Sequence, residues 1–140
     1  MQKQPDVLFV CVHNAGRSQM AKAFFNAAAL SAGSELSAES AGTIPSDHVH
    51  PEVLSTMQEL GFDLSQERGK LITDEMLQHQ PKVITMGCQV DVEACPSLLI
   101  DEVVDWGLPD PKGQSVERVR EIRDEIKQRV EKLCAELAAN

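Results

Sequence analysis

With 22 acidic against 13 basic side chains, the 140-residue chain carries a net charge of −9, and 42% of its residues are hydrophobic. That balance argues against nucleic acid or an anionic membrane surface as a partner, since both need clustered Lys and Arg. The length and apolar content predict a single domain, residues 1–140, with a core of its own. Four cysteines, an apolar run too short for an export signal and no stretch of membrane-spanning length predict a cytoplasmic protein with reduced thiols.

The apolar run Val7-Leu8-Phe9-Val10 predicts a fully buried strand over residues 6–11. A helix follows over 18–31, with Met20, Phe24 and Ala28 on one stripe, Ala21 and Phe25 beside it, and Gly33-Ser34 closing it. A short polar strand over 36–40 runs into Ala41-Gly42-Thr43. Next comes a helix from about Pro51 to Leu60, ended by Gly61, with Val53, Leu54, Met57 and Leu60 as its core face. A weaker helical segment spans 74–79, a second buried strand 82–86, a loop 88–100 and a last strand 102–106. Apolar residues at three-to-four spacing, from Val119 through Ile122, Ile126, Val130 and Leu133 to Leu137, predict a long helix over 115–137. Strands separated by helices define an α/β fold, a doubly wound parallel sheet of four strands with its site outside the carboxyl ends of the strands.

Chemistry concentrates where the first strand meets the first helix, at Cys11-Val12-His13-Asn14-Ala15-Gly16-Arg17-Ser18. Five residues between the thiol and the guanidinium, between a strand and a helix start, turn backbone N–H groups inward as a cradle for a tetrahedral oxyanion. The same dipoles, with Arg17, favour Cys11 as a thiolate. Ser18 is placed to donate to that sulfur, while Asn14 and Gly16 suit unusual backbone angles. Because the net charge repels anions at long range, such a substrate must be held by these local groups.

Asp110, in the stiff stretch Trp106 to Gly113, is a candidate general acid for the oxygen that leaves when sulfur attacks; Asp105 competes with it, and a plain Pro-Asp-Pro turn competes with both. Cys88 and Cys95 flank a six-residue loop at the sheet edge that carries Cys11, an arrangement suited to stepwise thiol–disulfide exchange. Two unrelated thiols, or a zinc site, are the competing readings, though the gap is wide for paired ligands. Cys134 falls beside the apolar stripe of the last helix and reads as packing. His48 and His50, in a segment that reads as an exposed loop, are discounted as ligands, and no metal site is expected.

These residues resemble the arsenate reductases that share the low-molecular-weight protein tyrosine phosphatase fold, in the branch coupled to thioredoxin. The likeness runs from about Val7 to Leu133. It rests on Val10 to Ala21, Ser40-Ala41-Gly42-Thr43, Gly61-Phe62-Asp63-Leu64-Ser65, Thr85-Met86-Gly87-Cys88 with Cys95-Pro96, Asp105-Trp106 and Asp110-Pro111-Lys112-Gly113. The resemblance implies attack on arsenate by Cys11, oxygens held by Arg17 and the amides of Val12 to Ser18, and protonation by Asp110. It further implies displacement of arsenite by Cys88 and transfer of the disulfide to Cys88–Cys95, for reduction by thioredoxin.

No bound cofactor is implied, and a monomer is expected. Related enzymes use glutaredoxin or mycothiol as donor. Some members hold potassium beside the loop, and those most alike in mechanism often carry Asn-Ser-Cys-Arg and an acidic residue shortly after Gln-Met-Ala. This chain has Asn14-Ala15-Gly16-Arg17 and Lys22 instead. A low-molecular-weight phosphotyrosine phosphatase needs the same loop but neither Cys88 nor Cys95, and usually aromatic residues after its Asp-Pro; this chain has Lys112-Gly113 and no Tyr. A non-catalytic thiol sensor of oxyanions or redox state is the competing reading from another class.

Overall fold

The computed structural model describes residues 5–78, 81–87 and 103–139. Its elements run β1 (Val7–Cys11), α1 (Arg17–Ser31), β2 (Ala38–Gly42), α2 (Pro51–Gln58), α3 (Asp74–Leu77), β3 (Lys82–Thr85), β4 (Val103–Asp105) and α4 (Val116–Ala138). The strands form a parallel sheet in the order β2-β1-β3-β4, the four-stranded doubly wound arrangement expected from the alternation of strands and helices.

Central strand β1 is buried along its whole length because both sheet faces are covered. On one face Val7 and Phe9 join Met20, Phe24 and Phe25 of α1, Val53 and Met57 of α2, and Ile122, Ile126, Val130 and Leu133 of α4. On the other, Leu8, Val10, Ala41 and Val83 pack with Ile72, and Met76 and Leu77 of α3 lie against them. Phe9 meets Phe25 edge-on and Trp106 at a tilt, with centroids 6.2 and 5.7 Å apart. Cys134 lies in the core, where burial pushes its thiol above the ordinary range.

Helix boundaries follow local chemistry. Thr73 caps α3 by accepting from the Met76 N–H, Ser115 caps α4 by accepting from Arg118, and Pro51 opens α2 with its φ already set. β2 begins two residues later than its composition predicts. A polar strand has no apolar alternation to set its register. Here Asn26 of α1 sets it by hydrogen bonding both the N–H and the C=O of Ala38, at 2.8 and 3.1 Å.

Arg120 and Arg123 of α4 hold Glu59, just past α2, at 2.6 and 2.7 Å. Their hydrogen bonds keep its carboxyl down at about 2, against an ordinary 4.5. With the folded value depressed, this contribution to stability is complete above the unfolded pKa and is lost as pH falls through the folded one. Chemical denaturation midpoints at about pH 6 and about pH 2.5 are therefore expected to differ less in Glu59→Gln than in the parent chain; an equal drop in both would remove this pair from the acid response.

Candidate active site

β1 delivers Cys11 to the carboxyl edge of the sheet, and α1 starts at Arg17, so residues 12–16 must close a tight loop between them. Asn14 takes a left-handed φ of 50° and Gly16 an unusual pair of angles, φ −146° and ψ −96°. Asn14 to Ser18 are buried where α1 begins, and the first-turn N–H groups of a helix have no intrahelical acceptor. Buried main-chain donors at a helix N-terminus are suited to holding an anion.

Behind the cradle, directional hydrogen bonds fix the orientation of the Asn14 amide. The Lys70 N–H, which can only donate, lies 3.0 Å from Asn14 Oδ1, and Gln19 Nε2 donates to the Asn14 main-chain oxygen at 3.1 Å. Asn14 therefore turns its Nδ2 to Ser18 Oγ, at 2.7 Å. Having accepted there, the Ser18 hydroxyl keeps a proton that it can donate to Cys11 Sγ, 2.8 Å away, in a bond where either atom can be the donor. A sulfur that receives a hydrogen bond is stabilised as thiolate over thiol.

Arg17 is buried, and its Nη1 donates to the carbonyls of Met86, after β3, and Leu108, after β4, at 3.0 and 2.6 Å. These bonds pin the guanidinium where three loops converge. Its Nε and Nη2 make no hydrogen bond among the described residues, and Asp110 Oδ2 stands 3.9 Å from Nη2. Asp110 is more than half exposed, and its Oδ1 accepts the Lys112 N–H in the turn that carries it. Asp105 is differently engaged: its Oδ1 accepts from Thr85 Oγ1 and the Gly87 N–H, tying the ends of β3 and β4 together. The structure thus brings Cys11, Arg17, Ser18 and Asp110 to one place. Cys88 and Cys95 lie outside the described residues.

Several participants are placed by main-chain contacts rather than by side-chain chemistry. Gly42, at the end of β2, passes so close to the loop that a Cβ there would collide with the Val12 carbonyl and approach the Cys11 carbonyl to 2.9 Å. The polar segment after Arg68 is clamped to the site, since Gln19 Nε2 reaches the Arg68 carbonyl, Gly42 donates to Lys70, and Ile72 donates to Gly42. The stretch around His50 is less exposed than expected, because Val49 is buried in the core. His50 lines the mouth: its N–H donates to Ala15, and its ring lies 3.4 Å from where a Gly16 Cβ would stand, beside Pro111. Burial pushes its imidazole pKa below the ordinary value, against the opposing pull of Asp110 and Glu52.

A cysteine and an arginine converging on buried loop residues at the carboxyl edge of a doubly wound sheet can hold a tetrahedral oxyanion beside a thiol. The profile of the low molecular weight phosphotyrosine protein phosphatases matches residues 6–140, and the chain belongs to that family. Within it, the chain is similar to a putative arsenate reductase of Halobacterium salinarum, 46% identical over 127 residues that cover 87% of this chain and 85% of the relative. It is 38% identical to a glutaredoxin arsenate reductase of Synechocystis, over 94% of this chain and 98% of that protein. Among solved structures, the thioredoxin-dependent arsenate reductase of Corynebacterium glutamicum superposes with a TM-score of 0.70 at 40% identity, covering 92% of this chain and 59% of that one. Among the described residues, no helix is long and apolar enough to cross a membrane.

Proposed function

We propose that this enzyme reduces arsenate to arsenite with electrons from its own thiols, and that reduced thioredoxin restores those thiols. The supporting observation is Cys11 Sγ standing 2.8 Å from the Ser18 hydroxyl, itself held by Asn14 Nδ2, at a loop of buried residues that opens α1. In this reading the Cys11 thiolate attacks arsenic while Arg17 and the amides of residues 12–18 hold the remaining oxygens, and Asp110 gives its proton to the departing oxygen, which leaves as water. Cys88 then attacks the Cys11 sulfur. The Cys11–Cys88 bond forms, the sulfur–arsenic bond breaks with its electron pair on arsenic, and arsenite departs. Cys95 next attacks Cys88, freeing Cys11 as thiolate and leaving a Cys88–Cys95 disulfide for an external dithiol. Two electrons and two thiol protons are accounted for in each turnover.

Relatives differ in the donor their names carry, glutaredoxin in one and thioredoxin in another. Two cysteines beyond the nucleophile favour thioredoxin, because the chain can then complete its own disulfide without glutathione. Phosphate-ester hydrolysis is compatible with the same loop as a weak side activity. The experiment is arsenate-dependent NADPH oxidation, run with thioredoxin and its reductase and, in parallel, with glutaredoxin, glutathione and glutathione reductase. Steady oxidation with thioredoxin, lost in Cys88→Ser, is expected. Turnover supported by the glutaredoxin system alone would replace the donor, and unchanged turnover in Cys88→Ser would remove the relay.

A further inference from the structure

The potassium site that the family resemblance implies does not fit this chain. Its neighbourhood holds two carboxylates, Glu39 and Glu67, but the space between them is taken by Lys22 of α1. The Lys22 Nζ lies 2.9 Å from Glu39 Oε1 and 3.9 Å from Glu67 Oε1, and the side chain is 17% exposed. Lys70 adds a second ammonium on the same oxygen of Glu39, also at 2.9 Å. Two carboxylates and two ammonium groups balance, so a free cation entering here meets no net negative charge, and Glu39 Oε1 already receives both ammonium groups.

We infer that Lys22 is a tethered cation that does the positioning work of a bound one. It locks Glu39, Glu39 locks Lys70, and the Lys70 N–H fixes the Asn14 amide that aims Ser18 at Cys11. Each link is short and directional. Glu39 receives both ammonium groups and the Ser40 N–H, at 3.0 Å. Lys70 is held on both sides of its peptide, donating to Asn14 Oδ1 at 3.0 Å and accepting from Gly42 at 2.7 Å. Asn14 then has one amide orientation available, and its Nδ2 holds the Ser18 hydroxyl that lies 2.8 Å from Cys11 Sγ. The electrostatics agree. Partial burial alone would raise the Glu39 carboxyl, yet the bonds from Lys70, Ser40 and Lys22 together leave it below the ordinary range, and Glu39 raises Lys70 in spite of its partial burial.

Lys22 is therefore a positioning residue; it acts on the nucleophile through four intermediates, Glu39, Lys70, Asn14 and Ser18, and makes no contact with the sulfur. The inference rests on Cys11 as the nucleophile of the proposed reaction but on no property of arsenate, so it is tested without turnover. The readout is the pH profile of Cys11 alkylation by iodoacetamide in the reduced full-length protein, followed by peptide mass spectrometry, in potassium chloride and in sodium chloride at equal ionic strength. The parent chain is expected to give the same profile in both salts. Lys22→Met is expected to move the midpoint to higher pH by about half a unit or more, and Lys22→Arg to return it towards the parent value. A midpoint in the parent chain that depends on potassium would overturn the inference without requiring any variant. A folded Lys22→Met protein with the parent profile would overturn it as well.

Discussion

Cys11→Ser is expected to lower arsenate reduction by on the order of 10⁵-fold or more, to the level of the uncatalysed background. The substitution keeps a hydrogen-bonding side chain beside Ser18, 2.8 Å from the sulfur in the parent chain, but removes the atom that bonds to arsenic in the proposed reaction. An alkoxide in the same cradle can bind an oxyanion and cannot reduce it, because forming a disulfide needs sulfur at both ends. Folding is expected to survive, as the loop is held by Asn14, Gln19 and Lys70 rather than by the thiol. Binding and chemistry thus separate in one variant: arsenate protection against thermal unfolding is retained while arsenite formation, read by arsenic speciation, is lost. Arsenite formation in Cys11→Ser at more than a few per cent of the parent rate would move the nucleophile elsewhere.

Arg17→Lys is expected to cost about 10²–10³-fold in kcat/KM even though the charge is kept. A lysine can satisfy one of the two carbonyls that Arg17 Nη1 bridges, Met86 and Leu108, but it cannot do so while also presenting two further donors to the cradle. Loss of the bridge also loosens the turn that carries Asp110, 3.9 Å from the guanidinium. Leaving one of those buried carbonyls unpaired costs about 1–3 kcal/mol of stability, so a thermal midpoint should be measured beside the kinetics. A variant with parent kcat/KM would show that the loop amides alone hold the oxyanion.

How much of this was legible in the sequence depends on the kind of interaction. β1, the loop and α1 are readable because a continuous apolar run, a cysteine, five residues and an arginine leave little freedom in where the strand stops and the helix starts. α4 is readable because its core face, from Val119 to Leu137, repeats regularly for about five turns. β2 was displaced by two residues because its placement comes from one asparagine on a neighbouring helix. Competition between Asp105 and Asp110 cannot be settled by spacing. It turns on which carboxyl is already engaged, and Asp105 is held by Thr85 and Gly87.

The clamp around Arg68 and Lys70 left no trace in the pattern, since main-chain bonds to Gln19, Asn14 and Gly42 require no particular side chain at those positions. His50 was passed over for a related reason. Discounting it as a metal ligand says nothing about a mouth residue placed by its own N–H on Ala15.

The central claim is that Cys11 begins an internal two-electron transfer to arsenic, and a single turnover without any external donor tests it most directly. Fully reduced protein, freed of small thiols, is mixed with arsenate and quenched in acid; released arsenite and the intact mass of the chain are then measured. The account predicts roughly one arsenite per chain together with the loss of two hydrogens as a disulfide forms. No arsenite, with Cys11 still open to alkylation after exposure to arsenate, would contradict it.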